Sequence, residues 1–212
     1  SERLGGIRNE IARAAESVGR DPASVTLVGV SKTRTLDEIR AMYDLGVRDF
    51  GESRWQEALP KIEALPDDVR WHFIGSLQSN KARRIAERFA LIHSLDSEGA
   101  AKEIKKAGGE VLIEVNLAGE AQKSGINEEA LDGLMNGVLH YENVHLRGLM
   151  TIGPAHAEIE ETRNLFRRLR ELNERLGLSI LSMGMSDDFA VAIQEGATHV
   201  RIGTSLFGAR PH

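Results

Sequence analysis

The chain has 212 residues, of which 41% are hydrophobic and 28% charged, and its formal net charge is −5. This composition is typical of a globular protein with one sizeable core. The mildly acidic net charge argues against nucleic acid as a partner. The sequence has no cysteine, which excludes disulfides, thiolate catalysis and cysteine-ligated metals within it. No apolar run approaches the about 20 residues that cross a bilayer, so we expect a cytoplasmic protein without a membrane partner.

Short apolar and β-branched segments alternate with longer amphipathic segments along the chain. The first amphipathic segment has apolar residues at helical spacing, namely Leu4, Ile7, Ile11, Ala14 and Val18. Several of the short segments are apolar at consecutive positions, as parallel strands covered on both faces are. In chain order the remaining predicted elements are strand Val25–Lys32, helix Leu36–Leu45, strand Asp49–Ser53, helix Ser53–Ala64, strand Trp71–Gly75, helix Asn80–Phe89, strand Leu91–Leu95, helix Ser97–Ala107, strand Glu110–Asn116, helix Glu128–Leu139, strand Leu146–Ile152, helix Glu158–Leu176, strand Ser179–Gly184, helix Ser186–Glu195 and strand Thr198–Gly203.

Eight strands with seven intervening helices predict an α/β fold, a (β/α)8 TIM-type barrel, rather than an open doubly wound sheet. The residues after the last strand, 204–212, are too few for an eighth helix, so the N-terminal helix is expected to cover that part of the barrel. Gly46, Gly177 and Gly196 each follow a helix and precede a strand, where a left-handed C-cap is expected. No linker or internal repeat interrupts the pattern, and we expect one domain over residues 1–212.

The first predicted strand ends at a lysine. In a barrel of this kind the functional groups collect at the C-terminal ends of the strands, where Lys32 would lie. A buried lysine is costly unless it is paired or neutral, and the neutral amine is a nucleophile toward aldehydes. Lys32 is therefore a candidate for Schiff-base formation. The alternative is a lysine whose charged end simply reaches solvent.

The connections after the seventh and eighth strands have the composition of a phosphate site. A helix is predicted to begin at about Ser186, and Gly203 and Thr204 follow the last strand. Small residues let backbone N–H groups approach an anion, hydroxyls donate hydrogen bonds, and a helix N-terminus adds partial positive charge. The alternative is that Ser186 is only a helix N-cap and Gly203 only a turn residue.

Arg201 lies two positions before Gly203 and shares its side of the strand, so it requires an acceptor inside the barrel. If that acceptor is a pyridine nitrogen, the permanently charged guanidinium keeps the ring nitrogen unprotonated and the ring a weak electron sink. The alternative is a salt bridge to a barrel acid such as Glu52 or Glu114.

At these residues the chain resembles the family of pyridoxal phosphate homeostasis proteins, and the similarity covers nearly the whole length. The resemblance implies the barrel of the N-terminal domain of alanine racemases, the fold type III arrangement of pyridoxal enzymes, with pyridoxal 5′-phosphate as cofactor. The matching segments are 27–33, 50–52, 71–75, 77–78, 80–81, 123–126, 147–151, 181–186 and 201–204.

The resemblance also implies roles for individual residues. Lys32 matches the lysine that forms the Schiff base, and Arg201 matches the arginine that faces the pyridine nitrogen. The family usually has asparagine after its Gly-Glu pair, where this chain has Ser53, so one contact to the ring oxygen of the cofactor is in question. The other implied cofactor-binding positions are Ser186, Gly203 and Thr204 for the phosphate, with Met183, Gly184, His72 and Met150 nearby.

The resemblance implies a carrier or buffer of the cofactor in vitamin B6 homeostasis, with apo pyridoxal enzymes as candidate recipients. A racemase of this fold needs a second acid or base, and the two tyrosines, Tyr43 and Tyr141, lie in a helix and in a loop away from the predicted strand ends. We therefore expect a monomeric binding protein without strong catalytic activity. The alternatives are a small pyridoxal-dependent amino-acid racemase and a cofactor-free Schiff-base aldolase.

Overall fold

The computed structural model describes residues 1–121 and 123–209. Eight parallel strands close into a barrel in chain order, and the last strand pairs with the first, with Thr26 opposite His199 and Gly29 opposite Ile202. This confirms the predicted (β/α)8 barrel and all eight strands. The strands are β1 (Thr26–Val30), β2 (Asp49–Glu52), β3 (Arg70–Phe73), β4 (Leu91–Leu95), β5 (Gly109–Glu114), β6 (Val144–Met150), β7 (Ile180–Ser182) and β8 (His199–Ile202).

Helices cover the outside of the barrel, and each predicted helix between strands is present. The helix before β8 begins later than expected, at Phe189 instead of Ser186, because the Met185 N–H bonds the Asp188 carboxylate at 2.7 Å and closes a turn there. The helices are α1 (Glu2–Glu16), α2 (Leu36–Asp44), α3 (Trp55–Ala64), α4 (Ser79–Arg88), α5 (Glu98–Lys105), α6 (Leu131–Leu139), α7 (Ile159–Arg175), α8 (Phe189–Gln194) and α9 (Thr204–Phe207), with 3-10 turns at Pro22–Ser24 and Glu128–Ala130.

Helix α1 takes the place of an eighth barrel helix, as predicted. It packs against α8 and α9 and buries Leu4, Ile7 and Ile11. After the helix ends, Arg20 fastens the chain to α8 by a 2.6 Å hydrogen bond from Nη1 to the Ile193 carbonyl. Val18, the last apolar residue of the predicted amphipathic segment, lies beyond the end of α1 and is 46% exposed.

The main apolar core lies between the strands and the helices, where consecutive apolar strand residues meet the helix faces.

Gly46, Gly177 and Gly196 have φ of 94°, 68° and 105°, which confirms the predicted left-handed positions after three helices. Within the described residues, no helix has the length and apolar composition needed to cross a bilayer.

Candidate functional site

A cavity of about 320 Å³ opens at the C-terminal ends of the strands. Its volume falls in the range of small-molecule sites in proteins. Five of the nine predicted cofactor-binding residues line it, which are Lys32, Ser186, Arg201, Gly203 and Thr204. The rest of the wall consists of Val30, Arg34, Ser53, Ile74, Ile152, Met185 and Asp187.

Lys32 projects from a tight turn rather than from the strand itself. Strand β1 ends at Val30, two residues before the predicted end. Ser31 holds the turn to β2, because its N–H donates to the Gly51 carbonyl at 2.9 Å and its hydroxyl donates to Glu52 Oε1 at 2.7 Å. Thr33 has φ of 65°, an uncommon conformation for a residue with a side chain. The contacts of Ser31 thus hold the backbone of the turn that carries Lys32.

A buried lysine on α3 braces this turn from below. Lys61 Nζ donates to Glu52 Oε1 at 2.6 Å and to the Ser31 carbonyl at 2.7 Å. Burial raises the pKa of Glu52, and the hydrogen bond from Lys61 opposes that change. Glu57, also on α3, accepts hydrogen bonds from Lys61 and from the Thr33 N–H. Lys61 and Glu57 therefore hold the turn on both sides of Lys32: Lys61 bonds Ser31, and Glu57 bonds Thr33.

Replacing Lys61 by Met is expected to lower the free energy of unfolding by about 3 kcal/mol, since Glu52 would keep a buried charge without its partner. Urea denaturation measures the change. The matched control is Lys102→Met, which removes an exposed pair with Glu98 on α5 and should cost less than about 1 kcal/mol. Equal small losses for both variants would contradict the bracing role of Lys61.

Arg201 is buried, and its guanidinium is held by two oxygen atoms. Nη1 donates to Ser182 Oγ at 2.6 Å, and Nη2 donates to the Thr151 carbonyl at 2.9 Å. Burial lowers the pKa of Arg201 to about 10, so the group stays charged at neutral pH. The alternative of a salt bridge to Glu52 or Glu114 was wrong: Glu52 pairs with Lys61, and Glu114 accepts from a serine of the following loop.

Ser186, Gly203 and Thr204 lie together where β7 and β8 lead into their following segments. Ser186 Oγ accepts a 3.4 Å hydrogen bond from the backbone N–H of Ser205, which ties the two connections together. The alternative that Ser186 caps a helix was wrong, because α8 begins three residues later. A Cβ at Gly203 would lie 3.3 Å from the Val30 Cβ, so a glycine allows the close approach of the two strands.

The charge of the cavity wall favours an anion. Lys32, Arg34 and Arg201 contribute three cations, and Asp187 is the one acid among the described residues that line it. One of these cations, Arg34, also donates a hydrogen bond to the Gly208 carbonyl at 2.6 Å. The two serines and the threonine of the wall add hydroxyl donors. Such a set can bind a small molecule that carries both an aldehyde and a phosphate.

Three further predicted residues do not line the cavity. Met183 and Met150 are buried in the hydrophobic cores. Gly184 has φ of 99°, and a Cβ there would lie 2.6 Å from the Ala192 Cβ, so this glycine lets the chain turn close to α8. Direct contact of these residues with a ligand remains a prediction.

His72 also lies outside the cavity wall. Its ring is buried in the barrel interior, where Nε2 is 2.8 Å from Asp49 Oδ1 and Nδ1 is 2.8 Å from His93 Nε2. The sequence placed His72 in a matching segment but gave no sign of these partners. A role for it in direct cofactor binding remains a prediction.

Several wall residues were not predicted as site residues. Ile74, Ile152 and Met185 supply apolar surface, while Arg34 and Asp187 supply charge. Each lies within a few residues after the end of a strand, so the rule that barrel sites form at these ends could have identified them. Ser53, the position of the departure from the family pattern, does line the cavity.

Comparisons with known proteins identify the family and agree with the fold. The family model described as the N-terminal domain of alanine racemase matches residues 3–211. A pyridoxal phosphate homeostasis protein of Aquifex aeolicus is 46% identical over 100% of this chain and 98% of its own, and one of Pseudomonas aeruginosa is 47% identical over 100% and 96%. The structure of PipY from Synechococcus elongatus with PLP bound has a TM-score of 0.82 at 37% identity, covering 93% of this chain and 100% of that one.

Proposed function

This chain belongs to the family of pyridoxal phosphate homeostasis proteins, and we propose that it binds pyridoxal 5′-phosphate through a Schiff base on Lys32. In this proposal it acts in intracellular vitamin B6 homeostasis as a carrier or buffer of the cofactor, without strong catalytic activity. It works as a monomeric single domain over residues 1–212 in the cytoplasm, and apo pyridoxal enzymes are candidate recipients.

The observation that carries the proposal is the position of Lys32. Its side chain lines a cavity of fitting size, and it forms no salt bridge within the described residues. A lysine amine without a carboxylate partner can add to an aldehyde carbon, and one water molecule leaves as the C=N bond forms. The turn held by Ser31 and Lys61 fixes where that amine is presented.

The rest of the wall fits the other two ends of the cofactor. Ser186, Gly203 and Thr204 offer hydroxyl and backbone donors to the phosphate, at the place where barrels commonly bind one. Arg201 stays charged and offers a donor to the ring nitrogen. When bound, the cofactor supplies a reactive aldehyde and an aromatic ring; this arginine keeps that ring a weak electron sink, which favours storage over carbanion chemistry.

The position of the tyrosines supports binding without turnover. Racemisation needs acid or base groups on both faces of the reacting carbon. The Tyr43 hydroxyl donates to Asp68 Oδ1 at 2.6 Å on the outside of the barrel, and Tyr141 packs near Lys105, so neither is a wall residue. The names of the curated relatives also describe homeostasis rather than an enzymatic reaction.

The proposal is tested by reducing the protein with borohydride in the presence of pyridoxal 5′-phosphate and locating the adduct by peptide mass spectrometry. The label is expected on Lys32, because its amine faces the cavity. An unlabelled Lys32 with the adduct on another lysine would overturn the assignment. Racemisation of alanine or serine at ordinary enzymatic rates would overturn the non-catalytic part, and a protein that takes up no cofactor would favour an aldolase.

A further inference from the structure

A line of hydrogen-bonded polar side chains crosses the barrel interior and ends at Arg201. It begins at Asp49, the first residue of β2, at the opposite end of the barrel from the cavity. It passes through His72 on β3, His93 on β4 and Ser182 on β7. The successive donor–acceptor distances are 2.8 Å, 2.8 Å, 2.8 Å and 2.6 Å. All five residues are buried, and His93 and Ser182 in the line are fully enclosed.

The two ends of the line have fixed roles. The Arg201 guanidinium can only donate, and it donates to Ser182 Oγ. At the other end, burial alone would raise the pKa of Asp49, but hydrogen bonds from His72 and Arg70 lower it to about 2. Asp49 is therefore a carboxylate that can only accept. Every group between these ends must arrange its protons to suit both.

With neutral histidines, one arrangement supplies a proton to every contact. The Ser182 hydroxyl donates to His93 Nδ1, His93 Nε2–H donates to His72 Nδ1, and His72 Nε2–H donates to the Asp49 carboxylate. Any other neutral assignment sets two lone pairs against each other at one of the contacts. Burial holds the pKa of His93 well below its usual value, which keeps that ring neutral.

We propose that His72 and His93 are positioning residues that set the direction of the Ser182 hydroxyl and thereby lock the plane of Arg201 toward the bound ring. Because the Ser182 hydroxyl donates its proton to His93, an oxygen lone pair of Ser182 is free to accept the hydrogen bond from Arg201 Nη1. The Thr151 carbonyl holds Nη2 at 2.9 Å, so both ends of the guanidinium are fixed. This inference rests on the proposed function, in which Arg201 faces the nitrogen of an aromatic heterocycle.

The proton arrangement can be tested without any cofactor. Nitrogen-15 NMR of the histidine rings in the intact protein should show protonated Nε2 and unprotonated Nδ1 for both His72 and His93. A Ser182→Ala variant should leave the His72 assignment in place while removing the hydrogen-bonded shift at His93 Nδ1. Protonated Nδ1 on His93 in the wild-type protein would overturn the inference whether or not pyridoxal phosphate binds.

The effect on the ligand is tested with a His93→Phe variant loaded with pyridoxal 5′-phosphate. Its visible absorption band is expected to shift, and its affinity to fall several-fold, because the Ser182 proton is no longer committed. His93→Asn, which restores an acceptor near Nδ1, should recover much of both. The matched control is His199→Phe, since the His199 ring lies 5.9 Å from that of His72 but bonds to Thr198 outside the line.

The outcomes separate three cases. A wild-type protein with no visible band contradicts the proposed function itself. A normal wild-type band that is unshifted, with unchanged affinity, in both His93→Phe and Ser182→Ala contradicts the positioning role alone. A merely structural role would lower the urea midpoint of His93→Phe without moving the band. If that variant does not fold, Ser182→Ala carries the same expected shift.

Discussion

A Lys32→Ala variant is expected to lose the visible absorption of the bound cofactor completely and to bind pyridoxal 5′-phosphate at least on the order of a hundredfold more weakly, equivalent to about 3 kcal/mol. In the proposed site the C=N bond cannot form without this amine, whereas the contacts proposed for the phosphate and the ring remain. Weak, reversible binding should therefore persist. Spectral titration measures the band, and equilibrium dialysis measures the residual affinity.

The control for this change is Lys81→Ala. Lys81 is also half-buried and lines a cavity, but that cavity lies beside α3 and α4 and shares only Ser53 with the strand-end site. Its removal should leave both the band and the affinity unchanged. A Lys32→Ala protein that keeps the band, or a Lys81→Ala protein that loses it, would contradict the assignment of the reactive amine.

The barrel itself could be predicted because its strands are apolar over consecutive residues. Strand β5 shows this, because Val111, Leu112 and Ile113 are consecutive apolar residues and all three are buried. The start of β3 was missed, since it begins at Arg70, a charged residue that pairs with Asp49 of the neighbouring strand at 2.6 Å. Hydrophobic patterning identifies the apolar middle of a strand. It does not show which polar residues at the end of a strand will pair with a residue of the neighbouring strand.

The site could be predicted in part for a related reason. Five of the predicted residues lie near the C-terminal end of a strand, so the rule that barrel sites form at these ends brings them together. They are Lys32, Ser186, Arg201, Gly203 and Thr204. The partners of buried polar groups could not be predicted in the same way. No feature of the sequence distinguishes Lys61 from other helix residues. It nevertheless pairs with the carboxylate of Glu52, which had been considered as a partner for Arg201. Such partners depend on which helix residue faces which strand.

A Ser186→Ala and Thr204→Ala double variant is expected to bind pyridoxal 5′-phosphate on the order of a hundredfold or more weakly, because each hydrogen bond to a charged group contributes about 1.5–3 kcal/mol. Unphosphorylated pyridoxal should bind the variant and the wild type nearly equally, since it lacks the phosphate that these hydroxyls are proposed to bind. The ratio of the two affinities, measured by spectral titration, is the quantity of interest.

That ratio is informative because it separates the two halves of the proposed site. Ser205→Ala is the matched control: Ser205 is the next residue of α9, and its side chain does not line the cavity, so the ratio should not change. A double variant that loses affinity for both ligands equally would mean that the phosphate binds elsewhere and that the two hydroxyls support the ring or the fold. A selective loss would tie the anionic end of the ligand to the connections after β7 and β8, in the same cavity that Lys32 lines.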